Sequence, residues 1–395
     1  MPAIATSPVF TASILARLPL AMLTIGMLVH VQQRTGSYAA AGLVSGSLAV
    51  AQGPGGPALG RLVDRRGQTT VLLAAALVSG AALAITALLP AAAPLGALVV
   101  LAAVIGFATP PVGPCMRSLL PGMVSGEEAQ RGAYAIDSAA VELTWVSGPP
   151  LVLLAGTLLS TGAALVVAGA VLTVSTLLFA TTKASRAWRP EPKAGDAATG
   201  ALRSPGVRTL ALALGSAGLL FGATEVAVTA AADALGGTAA AGPLLGLWGV
   251  GSLIGGIVVA RAGGGARTGA GLAAMLAVLA ASHLALAAVA SSMIALGAVI
   301  VVAGSMIAPT CATAYAMVDA AAPAGTTTEA FAWLATAIAI GTSGGAAAAG
   351  AVADASGPAA TFVLAGVAGA LGAAATILRA RTIPPASPAL AAAAC

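Results

Sequence analysis

Residues 69–90 read TTVLLAAALVSGAALAITALLP, an uncharged run closed by a proline. A helix of about 20 apolar residues crosses the ~30 Å of a bilayer's hydrocarbon core. A strand of a transmembrane barrel would alternate apolar and polar residues instead, and this run does not. Measured outward with the same ruler, the chain holds eleven more such runs, giving spans near 8–31, 38–59, 69–90, 95–117, 131–156, 160–182, 206–230, 239–260, 269–290, 293–318, 327–352 and 357–378. The composition agrees. Only 7% of the 395 residues are charged and the mean hydropathy is +1.00, whereas a soluble surface needs about 25% charge. A water-soluble enzyme is excluded, as are disorder and a collagen repeat. The sequence predicts an all-α membrane protein of twelve transmembrane helices.

The polar stretch from Lys183 to Pro205 is the best linker in the chain. It predicts an N-terminal six-helix bundle (1–182), a cytoplasmic linker (183–205), a C-terminal six-helix bundle (206–382) and a cytoplasmic tail (383–395). The first run lacks a basic leader and a convincing cleavage site, so it reads as a span, not a signal peptide. With the N-terminus inside, fifteen basic residues fall in cytoplasmic segments, Arg61, Arg65, Arg66, Arg117 and Arg131 among them, and only Arg34 falls outside. That asymmetry places both termini in the cytoplasm of a multi-pass protein of the plasma or inner membrane. Lipid headgroups account for the +5 net charge without any nucleic acid. Cys115, Cys311 and Cys395 are too few for a disulfide framework and read as packing residues or a tail thiol.

A shift of 196 residues lays Gly60 on Gly256, Arg65 on Arg261, Gly67 on Gly263 and Cys115 on Cys311. A shift of 197 lays Ala133-Tyr134-Ala135 on Ala330-Phe331-Ala332 and Gly148 on Gly345. A near-constant offset in separate regions marks a duplicated bundle, as in many transporters.

The loop after the second span reads Gly60-Arg61-Leu62-Val63-Asp64-Arg65-Arg66-Gly67. It resembles the signature G-x-L-a-D-r-x-G-r-k of the major facilitator superfamily, and the twelve spans, central linker and repeat extend the resemblance over nearly the whole chain. The resemblance implies two pseudo-symmetric bundles rocking about a central site, with Gly60, Leu62, Asp64, Arg65 and Gly67 as a gating motif. Asp64 is expected to clasp Arg65 and helix ends of the opposite half, a carboxylate being favourable at a helix N-terminus. Gln68 and Thr69 depart from the usual basic pair, and Ala260 replaces the acid in the second half. Ala102 stands where many proton-coupled exporters carry Arg, and Gly148-Pro149 matches only part of the antiporter signature.

Charges inside spans are costly and are functional candidates. Arg17, Asp137, Glu142 and Glu225 qualify. Arg17 and Glu142 are expected to pair. Glu225 has no basic neighbour in its span, so desolvation disfavours its anion and suits it to proton coupling or to anchoring a cationic substrate. His30 and His283 are isolated and read as packing residues; no metal or other cofactor is expected. Trp145, Trp248 and Trp333 are expected to fill helix gaps in preference to lining a cavity, and Trp188 reads as an interfacial anchor. Pro110, Pro111 and Pro114 should kink the fourth span and Pro309 the tenth. Gly263-Gly264-Gly265 lacks the context of a phosphate loop.

These features predict a monomeric secondary transporter that exports a small organic compound, with lipid, substrate and protons as its partners. Uptake of a metabolite is the alternative. A membrane-embedded enzyme or receptor is disfavoured, because no nucleophile pair, aspartate pair or soluble output domain is present.

Overall fold

The computed structural model describes residues 7–90, 92–189, 200–235 and 240–384, and no strand occurs among them. The first half of the chain forms α1 (Pro8–Thr35), α2 (Tyr38–Arg66), α3 (Gln68–Leu88), α4 (Leu95–Phe107), α5 (Val112–Met123), α6 (Glu127–Leu158), α7 (Thr161–Thr181) and the short α8 (Lys183–Ala187). The second half forms α9 (Pro205–Ala234), α10 (Ala241–Arg261), α11 (Gly269–Val289), α12 (Met293–Gly304), α13 (Ile307–Ala316), α14 (Val318–Ala321) and α15 (Thr327–Leu378). Most of the linker and the tail from residue 385, Cys395 included, lie outside the described residues.

Among the described residues ten helical segments are long and apolar enough to cross a membrane. The last, α15, breaks at Gly357 (φ +74°, ψ −178°) ahead of Pro358 and is two arms joined at a corner. The 29-residue α2 has the length but carries Gly, Pro and polar residues that lower its hydropathy. With these two the architecture is consistent with the twelve crossings expected. The fourth crossing is α4 and α5, broken across Ala108–Pro111; the tenth is α12 and α13, broken at Ser305–Met306 with Pro309 in the next turn. Both breaks fall at prolines that deny the helix a donor.

Local signals set the helix ends. Ser7, Ser160, Ser204, Thr268 and Ser292 each cap the helix that follows, accepting from the amide three residues on. Between α9 and α15 the contact is glycine-lined. A Cβ on Gly218 or Gly222 would overlap the carbonyls of Ile338 or Thr342, and one on Gly341 or Gly345 those of Gly215 or Leu219. The two backbones therefore touch.

The cores show how the halves meet. One large cluster joins Val63, Leu72, Cys115 and Tyr134 of the first half to Tyr315, Phe331 and Leu334 of the second. Two smaller clusters, around Met27, Leu48 and Leu83 and around Val152 and Ala168, belong to the first half alone. The halves share a core at the end of the molecule carrying residues 60–67, here called the motif end.

Candidate functional site

At the motif end α2 runs into α3 through Gly67, whose φ of +88° with ψ 165° is a conformation for glycine. About two helical turns earlier, a Cβ on Gly60 would stand 3.0 Å from the Thr328 carbonyl and 3.1 Å from Glu329 Cα. That close approach sets Asp64 on the first turn of α15. Asp64 is 4% exposed; its Oδ1 accepts from the Thr328 amide at 3.1 Å and its Oδ2 from the Glu329 amide at 2.8 Å. Thr326, the residue in the cap position of α15, makes no side-chain cap bond. Asp64 thus caps, from the other half of the chain, two amides that a helix start leaves unsatisfied.

Arg61 completes the arrangement. Its Nη2 and Nε donate to Oε1 and Oε2 of Glu329 at 2.6 and 3.1 Å, a two-pronged ion pair, and Glu329 is 1% exposed. The arginine that crosses to the other half is therefore Arg61 and not Arg65. One residue past Asp64 the helix turns Arg65 away, and it is exposed with no ion pair among the described residues. Leu62 packs on the shared core.

The pseudo-equivalent junction uses different chemistry. Arg131, at the start of α6, donates from Nε to the Gly263 carbonyl at 3.1 Å and pairs with Glu127 at 2.6 Å. A Cβ on Gly264 would collide with Arg131, so the glycine run makes room for that helix and is no ligand loop. Beside it, Tyr134 donates to Oδ2 of Asp319 at 2.9 Å. One bond between the halves lies deeper, from Thr336 Oγ1 to the Gly53 carbonyl at 3.1 Å.

Just beneath lies a buried charge cluster. Arg17 Nη2 meets Asp137 Oδ1 at 2.6 Å, and Arg117 Nε meets Asp137 Oδ2 at 2.8 Å. Arg17 thus meets Asp137 where Glu142 was expected, and the side chain of Glu142 lies outside the described residues. Depth explains the difference: α6 begins at Glu127, four residues before the expected start, so Asp137 and Arg17 both lie ~14–15 Å from their helix starts. Nor is Arg117 a loop residue. The fourth crossing continues past its proline break to Met123 and buries Arg117, whose guanidinium lies 3.7 Å from the centre of the Tyr315 ring.

Glu225 is exposed on α9, and its carboxylate makes no hydrogen bond or ion pair among the described residues. One turn earlier on that helix Phe221 meets Trp248 edge-on at 5.8 Å. Trp248 Nε1 donates to His283 Nε2 at 3.1 Å, and His283 Nδ1 faces the Leu279 carbonyl at 2.8 Å, which fixes a neutral tautomer. His30 faces Thr161 Oγ1 at 3.1 Å. Trp333 reaches Glu329, and Trp145, expected to fill a gap, is 56% exposed. No group of three metal-ligating side chains occurs among the described residues.

The major facilitator superfamily model matches residues 9–327. The chain belongs to that superfamily. Its fold is that of solved transporters of the superfamily at low identity. One is the human organic anion transporter MFSD10 (TETRAN), with TM-score 0.71 and 15% identity over 95% of this chain and 100% of that one. Another is a bacterial homologue of the iron transporter ferroportin in an outward-facing state, with TM-score 0.76 and 14% identity over 96% and 99%. No curated protein matches. The superfamily's fold makes this a multi-pass membrane protein of a transport family.

Glu329, Arg117 and Asp319 escaped the sequence reading. A lone acid in the first turn of an apolar run was the available signal for Glu329, since acids favour helix starts.

Proposed function

We propose that this superfamily member is a proton-coupled secondary transporter that exports a small organic compound across the plasma or inner membrane by alternating access. The motif end is the cytoplasmic end in this reading, following the basic residues. The observation that carries it is the capping of α15 by Asp64 from the opposite half. The polar contacts between halves concentrate at that end and the shared core lies there, so the conformation is closed to the cytoplasm. Two six-helix bundles, 1–182 and 206–382, rock about this seam. Opening releases the two α15 amides to water, and closing restores their cap.

Glu225 is the proton-coupling group: exposed on α9 and without a partner among the described residues, it can exchange a proton with whichever side is open. Asp137 is held by two arginines, which suits it to charge compensation.

Everted vesicles loaded with a pH-sensitive dye test the reading. Adding a transported compound to vesicles holding an acidic interior should release protons in step with compound uptake, and Glu225→Gln should abolish the proton signal. Compound movement indifferent to the pH gradient overturns proton coupling, and accumulation in right-side-out vesicles overturns export.

A further inference from the structure

Two guanidiniums share one carboxylate beneath the seam. Arg17 is 6% exposed, and three of its donor contacts are filled: Nε to the Ser13 carbonyl at 3.1 Å, Nη2 to Ser13 Oγ at 2.8 Å and to Asp137 Oδ1 at 2.6 Å. Its Nη1 is buried and has no hydrogen-bond partner among the described residues. Arg117 takes the other oxygen of Asp137. The neighbouring acids are engaged elsewhere, Asp64 with the amides of α15 and Asp319 with Tyr134. Among the described side chains two cations face one anion, in a place where uncompensated charge is costly.

We infer that Arg17 and Arg117 form a binding site for the carboxylate of a monoanionic organic substrate. A carboxylate is the complement in both charge and shape: it cancels the surplus cation and accepts from the idle edge of a planar guanidinium. Access follows from the cover. Tyr315 stands over Arg117 and belongs to the second half, its ring centroid 6.2 Å from that of Phe331 with the planes inclined by 59°. When the halves part at the motif end, the ring leaves with its own half and Arg117 is uncovered. Gly113 lies beside both arginines, where a Cβ would stand 3.7 Å from Arg17 Cδ and 3.9 Å from Arg117 Nη1, so the wall there is backbone. The substrate anion docks from that side. This assignment rests on the transport reading above and narrows its substrate class.

The test uses the full-length protein in detergent, with sodium acetate, hexanoate or benzoate compared with acetamide, hexanamide or benzamide at fixed ionic strength. A carboxylate bound at several times its Kd should raise the melting temperature by about 1 °C or more, and the amide should not. Arg17→Gln should remove the difference. Because that variant can fail to fold, Asp137→Asn supplies an independent reading: with both guanidiniums unpaired, acetate should stabilise it more than it stabilises the native protein, and acetamide should not. Equal shifts from acids and amides, or no acetate rescue of Asp137→Asn, overturn the site. Neutral or cationic compounds crossing the vesicles described above, with neither carboxylate effect, would refute this site and leave transport standing.

Discussion

Tyr134 and Phe331 meet where the halves of the chain join, their ring centroids 6.1 Å apart and their planes inclined by 34°. They are also the residues that a shift of 197 positions lays on one another. Copies related by a pseudo-twofold axis touch only near that axis, so this pair marks its passage through the motif end. Both side chains are fully buried, and Tyr315 packs on Phe331 from the side. The closed end is built around these rings.

Phe331→Ala should therefore weaken closure as well as folding. Removing a buried phenyl costs about 3–5 kcal/mol, and here part of that loss falls on the closed state alone. Cys115, fully buried in the same core, is a native reporter. Its maleimide labelling, followed by mass spectrometry, should accelerate more than tenfold. An unchanged rate would show that the rings do not hold the end shut.

Asp64→Asn should loosen the same end for a different reason. An amide offers one acceptor oxygen to two amide donors and turns an N–H toward the second. Leaving a buried donor unmet costs about 1–3 kcal/mol, so Cys115 labelling should rise roughly tenfold. Arg61→Lys keeps the charge, loses the fork, and acts on an ion pair whose arginine side is half exposed. It should shift the rate by a factor of a few at most. The reverse ranking would place the latch on the ion pair.

Gly67 and Gly36 separate backbone strain from contact. Neither has any atom near where a Cβ would stand. Gly36 is left-handed helical (φ +69°, ψ 4°), a conformation asparagine accepts, whereas Gly67 (φ +88°, ψ 165°) lies where essentially glycine alone is found. Gly36→Asn should leave the melting temperature nearly unchanged. Gly67→Asn should cost about 1–3 kcal/mol, visible as a lower melting temperature.

Glu225→Gln should fold as well as the native protein, because among the described residues the carboxylate has no partner to lose. Its melting temperature should stay within about 1 °C, surface changes being small, while export loses its dependence on the pH gradient. Retained dependence removes Glu225 from proton coupling.

Much of this was legible in the chain because the bilayer imposes so strict a ruler. Residues 69–90 and their counterparts announced helices by length and composition alone, and the glycines flanking Asp64 announced a tight junction. Pairings were harder to read. Counted from residue 131, α6 carries Glu142 to the depth of Arg17; its start at Glu127, about one helical turn earlier, brings Asp137 to that depth. A ruler of ~20 residues laid from Leu95 ends near Arg117 and puts it in a loop, whereas the proline break lets that crossing run on to Met123. Glu329 gave little sign of itself, since its partner Arg61 lies 268 residues earlier. Trp145 stands exposed because composition cannot say which face of a helix meets a neighbour.

The cap on α15 carries one more implication. A helix whose first turn is completed only by a residue from the other repeat has surrendered part of its folding instructions to that repeat. Severed within residues 190–199 and produced as two polypeptides, the pieces should each remain incomplete, with bare amides at one helix start and a stranded buried acid opposite. Co-expression should restore a single assembled particle, and Asp64→Asn should hinder that reunion more than it harms the uncut chain.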